Sequence, residues 1–443
     1  MALGRALYTR KHCLDKAVNV GSIPTSPTTY GLNICMNKDT FCPMPWIGAS
    51  IENTGTAKVC CAYDCTADRD YQTRMGKLED FSMWRKITLE PLRQDLLNGV
   101  RAPGCHRCWS TEDAGTDVQS DREIMNDFVK MFGSVDLDTV DQIQHLSIAF
   151  GNTCNLRCIM CGPYSSSNWV TEVQQNFNIL SEYKPPVTND AFLYYKSDAF
   201  KEIESQLIQH VKYVALLGGE PLFSPEALSF LEKLPASMRL RVVTNGTNLK
   251  DSTYELLSKF ENVALGISVD GVGIHGEYVR YGTEWPQLEQ NIKRLRALPN
   301  VKTFDLFYIL QHYSYYTLIP MLQFCIDNLY PIRIQTVAWE DYLSMNTLTE
   351  NQRIDLLDQL DQFWSKVMLR PLNQFVESSN TVLLSDRAIE CLQSLKDAVD
   401  YTKSVLTTQY DHDSGLKDRL VKFTNTIDGI RKITYNQAFG QDV

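Results

Sequence analysis

Cys154-Asn155-Leu156-Arg157-Cys158-Ile159-Met160-Cys161 is the stretch on which the reading of this chain turns. The three cysteines have the spacing C-x3-C-x2-C and directly follow an apolar run over residues 143–150. No fourth cysteine or histidine stands near them, so three thiolates would leave one metal corner unfilled. A closed structural zinc site takes four protein ligands in a tetrahedron. A cubic iron–sulfur cluster held by three thiolates keeps one iron open, and soft thiolates suit such clusters. Zinc stays open as a reading only if a fourth ligand arrives from far along the chain.

The sequence on the carboxyl side alternates β-type runs with helix signals. Apolar runs recur at 212–217, 240–244, 263–269, 303–310 and 332–339. They are rich in Val, Ile, Leu, Tyr and Phe, as buried parallel strands are. Between them, Ser224-Pro225 sets a cap before a proline suited to the first helical position. Ser252 and Glu255 read as a capping box. Leu288, Ile292 and Leu295 recur at helical spacing, as do Phe200, Ile203, Leu207 and Val211. Six strands with crossover helices predict an α/β fold, either an open (β/α)6 barrel or a doubly wound sheet. Both place the ligand site at the carboxyl ends of the strands. The polar and glycine-rich segments fall there: Gly218-Gly219-Glu220-Pro221, Thr244-Asn245-Gly246, and Ser268 with Asp270-Gly271.

C-x3-C-x2-C after the first strand, followed by Gly218-Gly219-Glu220-Pro221 after the second, resembles the radical S-adenosylmethionine (radical SAM) superfamily over about residues 144–340. The resemblance implies a partial (β/α)6 barrel. It also implies a 4Fe–4S cluster on Cys154, Cys158 and Cys161, whose open iron takes the amino and carboxylate groups of S-adenosylmethionine. Gly218, Gly219 and Glu220 would hold the methionine amino group: glycines let the backbone come close, and a carboxylate matches an ammonium. Ser268 and Asp270 resemble the ribose-contacting position, and Arg280 the arginine that meets the cofactor carboxylate in some members. Asn245 either points into the site or only makes the Asn245-Gly246 turn. The sixth strand would support the adenine. No catalytic side chain beyond the cluster ligands is assigned. The stretch of about 50 residues between Cys161 and the second strand, broken by Pro185-Pro186, departs from the family pattern and suits a lid or substrate platform.

A second cysteine set precedes the barrel. Cys42, Gly55 and Cys60 follow C-x12-G-x4-C, and Cys105-His106-Arg107-Cys108 gives C-x2-C. Residues 51–53 and 57–59 predict a hairpin whose turn is Asn53-Thr54-Gly55-Thr56. The set resembles the twitch domain, a short form of the SPASM domain, which implies a second, auxiliary iron–sulfur cluster on Cys42, Cys60, Cys105 and Cys108. That domain usually follows the barrel, and here it precedes it. Cys61 and Cys65 leave the second ligand ambiguous, and a four-cysteine zinc ribbon suits the same spacing. His106 reads as structural.

The expected organisation is therefore a Cys-rich region over 1–140, the barrel over 141–340 and a helical region over 341–443. Leu356, Leu357, Leu360, Phe363 and Trp364 read as helical core. The net charge of −10 and a pI near 5.3 argue against a general nucleic-acid or anionic-membrane surface. No run approaches the length of a bilayer span, and no signal-type apolar core precedes Cys35, so a cytoplasmic protein is expected. Thirteen clustered cysteines then favour metal ligation over disulfides. Cys13, Cys35, Cys325 and Cys391 stand alone and read as plain thiols. The resemblance implies reductive cleavage of the cofactor to a 5′-deoxyadenosyl radical, hydrogen abstraction from a peptide or small-molecule substrate, and a flavodoxin- or ferredoxin-type electron donor. The rival is a non-catalytic zinc or iron–sulfur protein for interaction or electron transfer, which would have no use for the Gly218–Pro221 segment.

Overall fold

The computed structural model describes residues 39–65, 67, 75–113, 119–132, 142–337, 340–370, 385–408 and 414–440. Cys13, Cys35 and the end of the expected sixth strand, Ala338 and Trp339, lie outside the described residues. All six expected runs form strands: β3 (His145–Ala149), β5 (Tyr213–Leu217), β6 (Arg239–Thr244), β7 (Asn262–Ser268), β9 (Val301–Leu310) and β10 (Ile332–Thr336). They are parallel and lie side by side in chain order. A doubly wound sheet reverses its strand order at a switch point. Among these six strands the order never reverses.

The sheet does not stop at β3. β1 (Gly48–Ile51) pairs with β3 in parallel, Ala49 opposite Leu146 and Ile51 opposite Ile148. β2 (Ala57–Lys58) closes a hairpin on β1, whose strand ends at Ile51 where the sequence suggests 51–53, with Gly55 at φ +81° in the turn. The cysteine-bearing hairpin is thus an edge of the same eight-stranded sheet, and no break in the sheet falls near residue 140.

One face of the sheet carries the core. Leu146, Ile148, Leu216, Leu240, Val242, Leu265, Leu306 and Leu310 are buried against Phe230 and Leu231, Leu257, Leu288 and Ile292, and Leu318 and Leu322 of the crossover helices. Ser224 caps the helix Pro225–Lys233 as predicted, accepting from the Ala227 N–H at 3.3 Å. The Ser252 capping box does not form. The helix Asp251–Ser258 starts two residues earlier than that cap would place it, after an extended Lys250, which puts Ser252 inside the first turn. Residues 198–209 are helical, with Phe200, Ile203 and Leu207 buried.

Past residue 340 the described chain is helical: Glu350–Met368, Asp386–Thr407, Ser414–Asp428 and Tyr435–Phe439, after two short 3-10 turns. Leu356, Leu360 and Phe363 join the main core. Leu420, Phe423, Ile427 and Tyr435 instead pack with Ile159 and Trp169, beside the first cysteine loop. No helix among the described residues is long and apolar enough to cross a membrane.

Candidate active site at the carboxyl ends of the strands

Cys154, Cys158 and Cys161 come together on the loop after β3. Cys154 and Cys158 are buried and Cys161 is partly exposed. A two-residue strand, β4 (Arg157–Cys158), pairs with β8 (Arg280–Tyr281), which sets Cys158 opposite Arg280. Arg280 Nη1 donates to Cys158 Sγ at 3.7 Å, and Asn245 Nδ2 lies 4.0 Å from Cys154 Sγ. The Leu156 N–H donates to Cys154 Sγ at 3.5 Å. The hydrogen bond between Cys161 and Cys158 holds the Cys158 thiol down to about 7, aided by Arg280 and against burial. Burial pushes Cys154 up to about 12. Three thiols, with N–H donors at the sulfurs of Cys154 and Cys158, one of them the Arg280 guanidinium, form a donor set that suits an anionic iron–sulfur cluster.

The glycine-rich segment meets this loop through backbone. A Cβ on Gly219 would lie 2.4 Å from the Thr153 carbonyl oxygen, so only glycine allows the two segments to touch. The Glu220 N–H then donates to the same carbonyl at 2.7 Å. The Glu220 carboxylate turns inward, contrary to the role its charge suggests in the sequence. It accepts from Leu222 N at 3.0 Å, Thr244 Oγ1 at 2.6 Å and Asn245 N at 2.5 Å, and burial raises it to about 7. It clamps the ends of β5 and β6, leaving backbone as the group presented at Gly218-Gly219.

Asp270 is likewise engaged within the protein. Its Oδ2 lies 2.7 Å from Arg280 Nε and its Oδ1 accepts from Ile309 N at 2.6 Å. It serves as the counter-ion of Arg280 and ties β7 to β9, whereas the sequence suggests a ribose acceptor. Ser268 stays partly exposed at the end of β7. Asn245 does both things left open for it: its Oδ1 accepts from Thr247 N at 2.9 Å in the turn, and its Nδ2 reaches Asn155 Oδ1 at 3.0 Å, beside Cys154.

A ring of buried ions behind the loop has no sequence motif. Lys184 Nζ donates to the Ile159 carbonyl at 2.9 Å and pairs with Glu340 at 2.6 Å. Glu172 pairs with Arg157 and with Arg431, each at 2.9 Å. Trp169 donates to the Cys158 carbonyl at 2.9 Å, and the Arg431 guanidinium lies 4.7 Å from its ring centroid. The stretch after Cys161 and the last helices therefore cover the back of the loop. A cavity of about 300 Å³, lined in part by Asn152, Ser167, Gln174 and Tyr195, opens beside it. A shallower one of about 650 Å³ between Tyr254 and Arg294 lies on helix surfaces.

In the second set, burial and then the neighbouring thiols of Cys61, Cys42, Cys105 and Cys108 raise Cys60. The Asp64 N–H donates to the Gly104 carbonyl at 2.8 Å, tying the Cys60 loop to the Cys105 turn. Arg122 and Asn126 both donate to the Phe41 carbonyl, at 3.0 and 3.1 Å, and fix the segment leading into Cys42. Burial raises Cys42 to about 12 and Cys108 to about 11. His106 bonds Asp64 at 3.0 Å, in keeping with a structural role. Cys61 is exposed and Cys65 buried. Among the described residues, no three His, Cys, Asp or Glu side chains close onto a single-ion point. Cys325 and Cys391 are buried in the core, the Cys391 thiol donating to the Tyr330 carbonyl at 3.5 Å.

Residues 148–325 match the family model of the radical SAM superfamily. A 7-carboxy-7-deazaguanine synthase of Halobacterium salinarum is 30% identical over 106 residues, 24% of this chain and 33% of that protein. The chain thus spans about a third of the length of this curated relative. Among solved structures, anSMEcpe with bound AdoMet is similar at 15% identity and TM-score 0.35, over 51% of this chain and 61% of that one. Streptococcus suis SuiB bound to S-adenosylmethionine is similar at 13% identity and TM-score 0.31, over 72% and 66%.

Proposed function

We propose that this chain, whose residues 148–325 form a radical SAM domain, cleaves S-adenosylmethionine reductively and abstracts hydrogen from a bound substrate. The superfamily uses a 4Fe–4S cluster and S-adenosylmethionine. The observation that supports the reading is a loop bearing three neighbouring thiols, with no fourth beside them among the described residues, whose Thr153 carbonyl touches the Gly219 backbone. When bound, the cluster supplies one electron to the sulfonium of the cofactor. Cys154, Cys158 and Cys161 would hold it.

The chain's own residues bind, orient and shield. The Gly218-Gly219 backbone offers carbonyls to the methionine ammonium. Arg280, set by Asp270, gives positive charge next to Cys158 and the cofactor carboxylate. Ser268 offers a hydroxyl to the ribose, and Asn245 orients the Cys154 turn. Trp169, Lys184 and Arg431 seal the loop from behind, the exclusion of water that a primary carbon radical needs.

The finer assignment is a partial (β/α)6 barrel with a twitch-like region built on its leading edge. Cys42, Cys60, Cys105 and Cys108 would hold an auxiliary cluster there. The substrate is a peptide or protein undergoing oxidation, with a small metabolite as the other class, and a flavodoxin or ferredoxin supplies electrons in the cytoplasm. A chain of net charge −10 gives no general surface for nucleic acid. Anaerobic iron and sulfide loading, then reduction with S-adenosylmethionine, tests the proposal. Release of 5′-deoxyadenosine supports it; cluster formation without cleavage favours an electron carrier, and zinc alone a structural module.

A further inference from the structure

The face of the sheet opposite the core has its own chemistry. Along β6, Leu240, Val242 and Thr244 are buried, while Arg239, Arg241 and Val243 stay partly exposed. Partners in register point to the same side of a sheet. Register places Lys58, Ser50, Ser147, Ala215, Arg241 and Ala264 in one row across six strands. Ser50, Ser147, Ala215 and Ala264 in that row are small and buried, and Arg241 is the long, partly exposed side chain among them.

Arg241 differs from three strand cations that pair with carboxylates, while Arg239 and Lys302, like it, have none among the described residues. Arg280 pairs with Asp270, Arg333 with Asp305 and Lys58 with Glu52. No carboxylate among the described residues pairs with Arg241, in a chain that has 53 acidic residues. Aromatic rings hold it instead. Its guanidinium lies 5.5 Å from the Phe307 ring centroid, and it bonds the Tyr213 phenol. Phe307 leans across Gly266 to reach this position. A Cβ on Gly266 would lie 2.0 Å from the Phe307 ring, so the glycine is what lets the ring lie down. A guanidinium positioned by stacking keeps its forked N–H donors for a planar or tetrahedral oxyanion. An ordinary solvated arginine on a sheet needs neither the ring nor the glycine beneath it.

The position also suits a substrate. Arg241 stands four residues before Asn245, the neighbour of Cys154, and strand rise makes that about 13 Å along β6. A group anchored at Arg241 would extend toward the reactive end of the strands. We propose that Arg241 binds an oxyanion of the substrate, a carboxylate or a phosphate, with Phe307 and Tyr213 as its positioning residues. This rests on the radical SAM reading for the chemistry above it, though not for the anion binding itself.

Arginine modification by phenylglyoxal tests the site in the full-length, iron-loaded protein, read by peptide mass spectrometry. Inorganic phosphate and acetate are the two probes. The expected result is saturable protection of Arg241, about tenfold at ten times the dissociation constant, with exposed Arg107 unprotected. Stronger protection by acetate assigns a carboxylate, and by phosphate a phosphate. R241Q is expected to lose the anion-dependent rise in melting temperature, and R241K to keep a weaker one. Equal protection at Arg241 and Arg107, or an unchanged thermal response in R241Q, overturns the proposal. Neither readout needs cofactor cleavage, so failure here leaves the 5′-deoxyadenosine result standing, and the converse holds.

Discussion

The two thiol sets sit on one sheet yet live in different electrostatic surroundings. Around Cys154, Cys158 and Cys161 the chain gathers Arg280, Lys184 and Arg431, each set by a buried or half-buried carboxylate. Around Cys42, Cys60, Cys105 and Cys108 the neighbouring cations are Arg122, already bound to Glu112 at 2.7 Å, and Lys58, already paired with Glu52. There burial and mutual repulsion of the thiols hold protons on the sulfurs. Charge compensation at the first set favours a centre that gains negative charge on reduction. The proposed auxiliary set, if its four thiols bind one centre, would leave that centre coordinatively complete.

Substitutions at the two sets break the comparison most sharply. Cys158→Ala is expected to reduce 5′-deoxyadenosine release to background, measured by chromatography after anaerobic loading. Cys105→Ala with Cys108→Ala is expected to lower bound iron while cleavage persists. Equal loss of cleavage in both variants would erase the distinction drawn here.

The ion pairs around the first set come next. Arg280→Met leaves Asp270 buried without its cation, and the expected loss is about 3–5 kcal/mol in chemical unfolding. Arg280→Lys should recover part of it. Glu172→Gln strands Arg431, whose Nε and Nη1 have no hydrogen-bond partner among the described residues. A loss of about 3 kcal/mol is expected, with limited proteolysis cutting first near the helix Ser414–Asp428. Unchanged cleavage there would mean that the last helices do not depend on this pair.

Acid separates the two regions more gently. Burial holds His145 down to about 4, on β3 beside the hairpin, and His312 down to about 3, next to the Leu343 turn. Both folded values lie below the unfolded value near 6.5, so the unfolded chain binds more protons between them. The contribution of these two histidines is therefore full above pH 6.5 and falls as pH drops toward 4, by about 1.4 kcal/mol per pH unit each, while the raised Glu220 carboxyl opposes it over the same range. His145→Phe, which keeps the ring stacked 4.4 Å from Tyr213, should lower the acid-side slope by about 1.4 kcal/mol per pH unit, read from unfolding midpoints against pH. An unaltered slope would place the acid sensitivity elsewhere.

Much of the fold was legible because it repeats or breaks pattern locally. The six strands, the Ser224 cap and the hairpin turn at Gly55 each depend on a few adjacent residues. The junction of β1 with β3 was not legible: Ala49 and Leu146 are far apart in sequence, and Gly48–Ile51 is too short to show a period. The three cysteines were legible by spacing, but the partners of Glu220 and Asp270 were not. A carboxylate has the same letter whether it faces a ligand or a neighbouring N–H. The ions behind the loop were missed for the same reason, since Glu172 and Arg431 are 259 positions apart and Lys184 and Glu340 are 156 apart.

Electron paramagnetic resonance of the reduced protein tests the central claim most directly, using a variant without Cys42, Cys60, Cys105 and Cys108 as well as the parent. The account predicts a 4Fe–4S signal in both that shifts when S-adenosylmethionine is added, because an iron at the Cys154–Cys161 loop is open to it. A signal indifferent to S-adenosylmethionine in the parent, or no cluster signal after anaerobic loading, would contradict it.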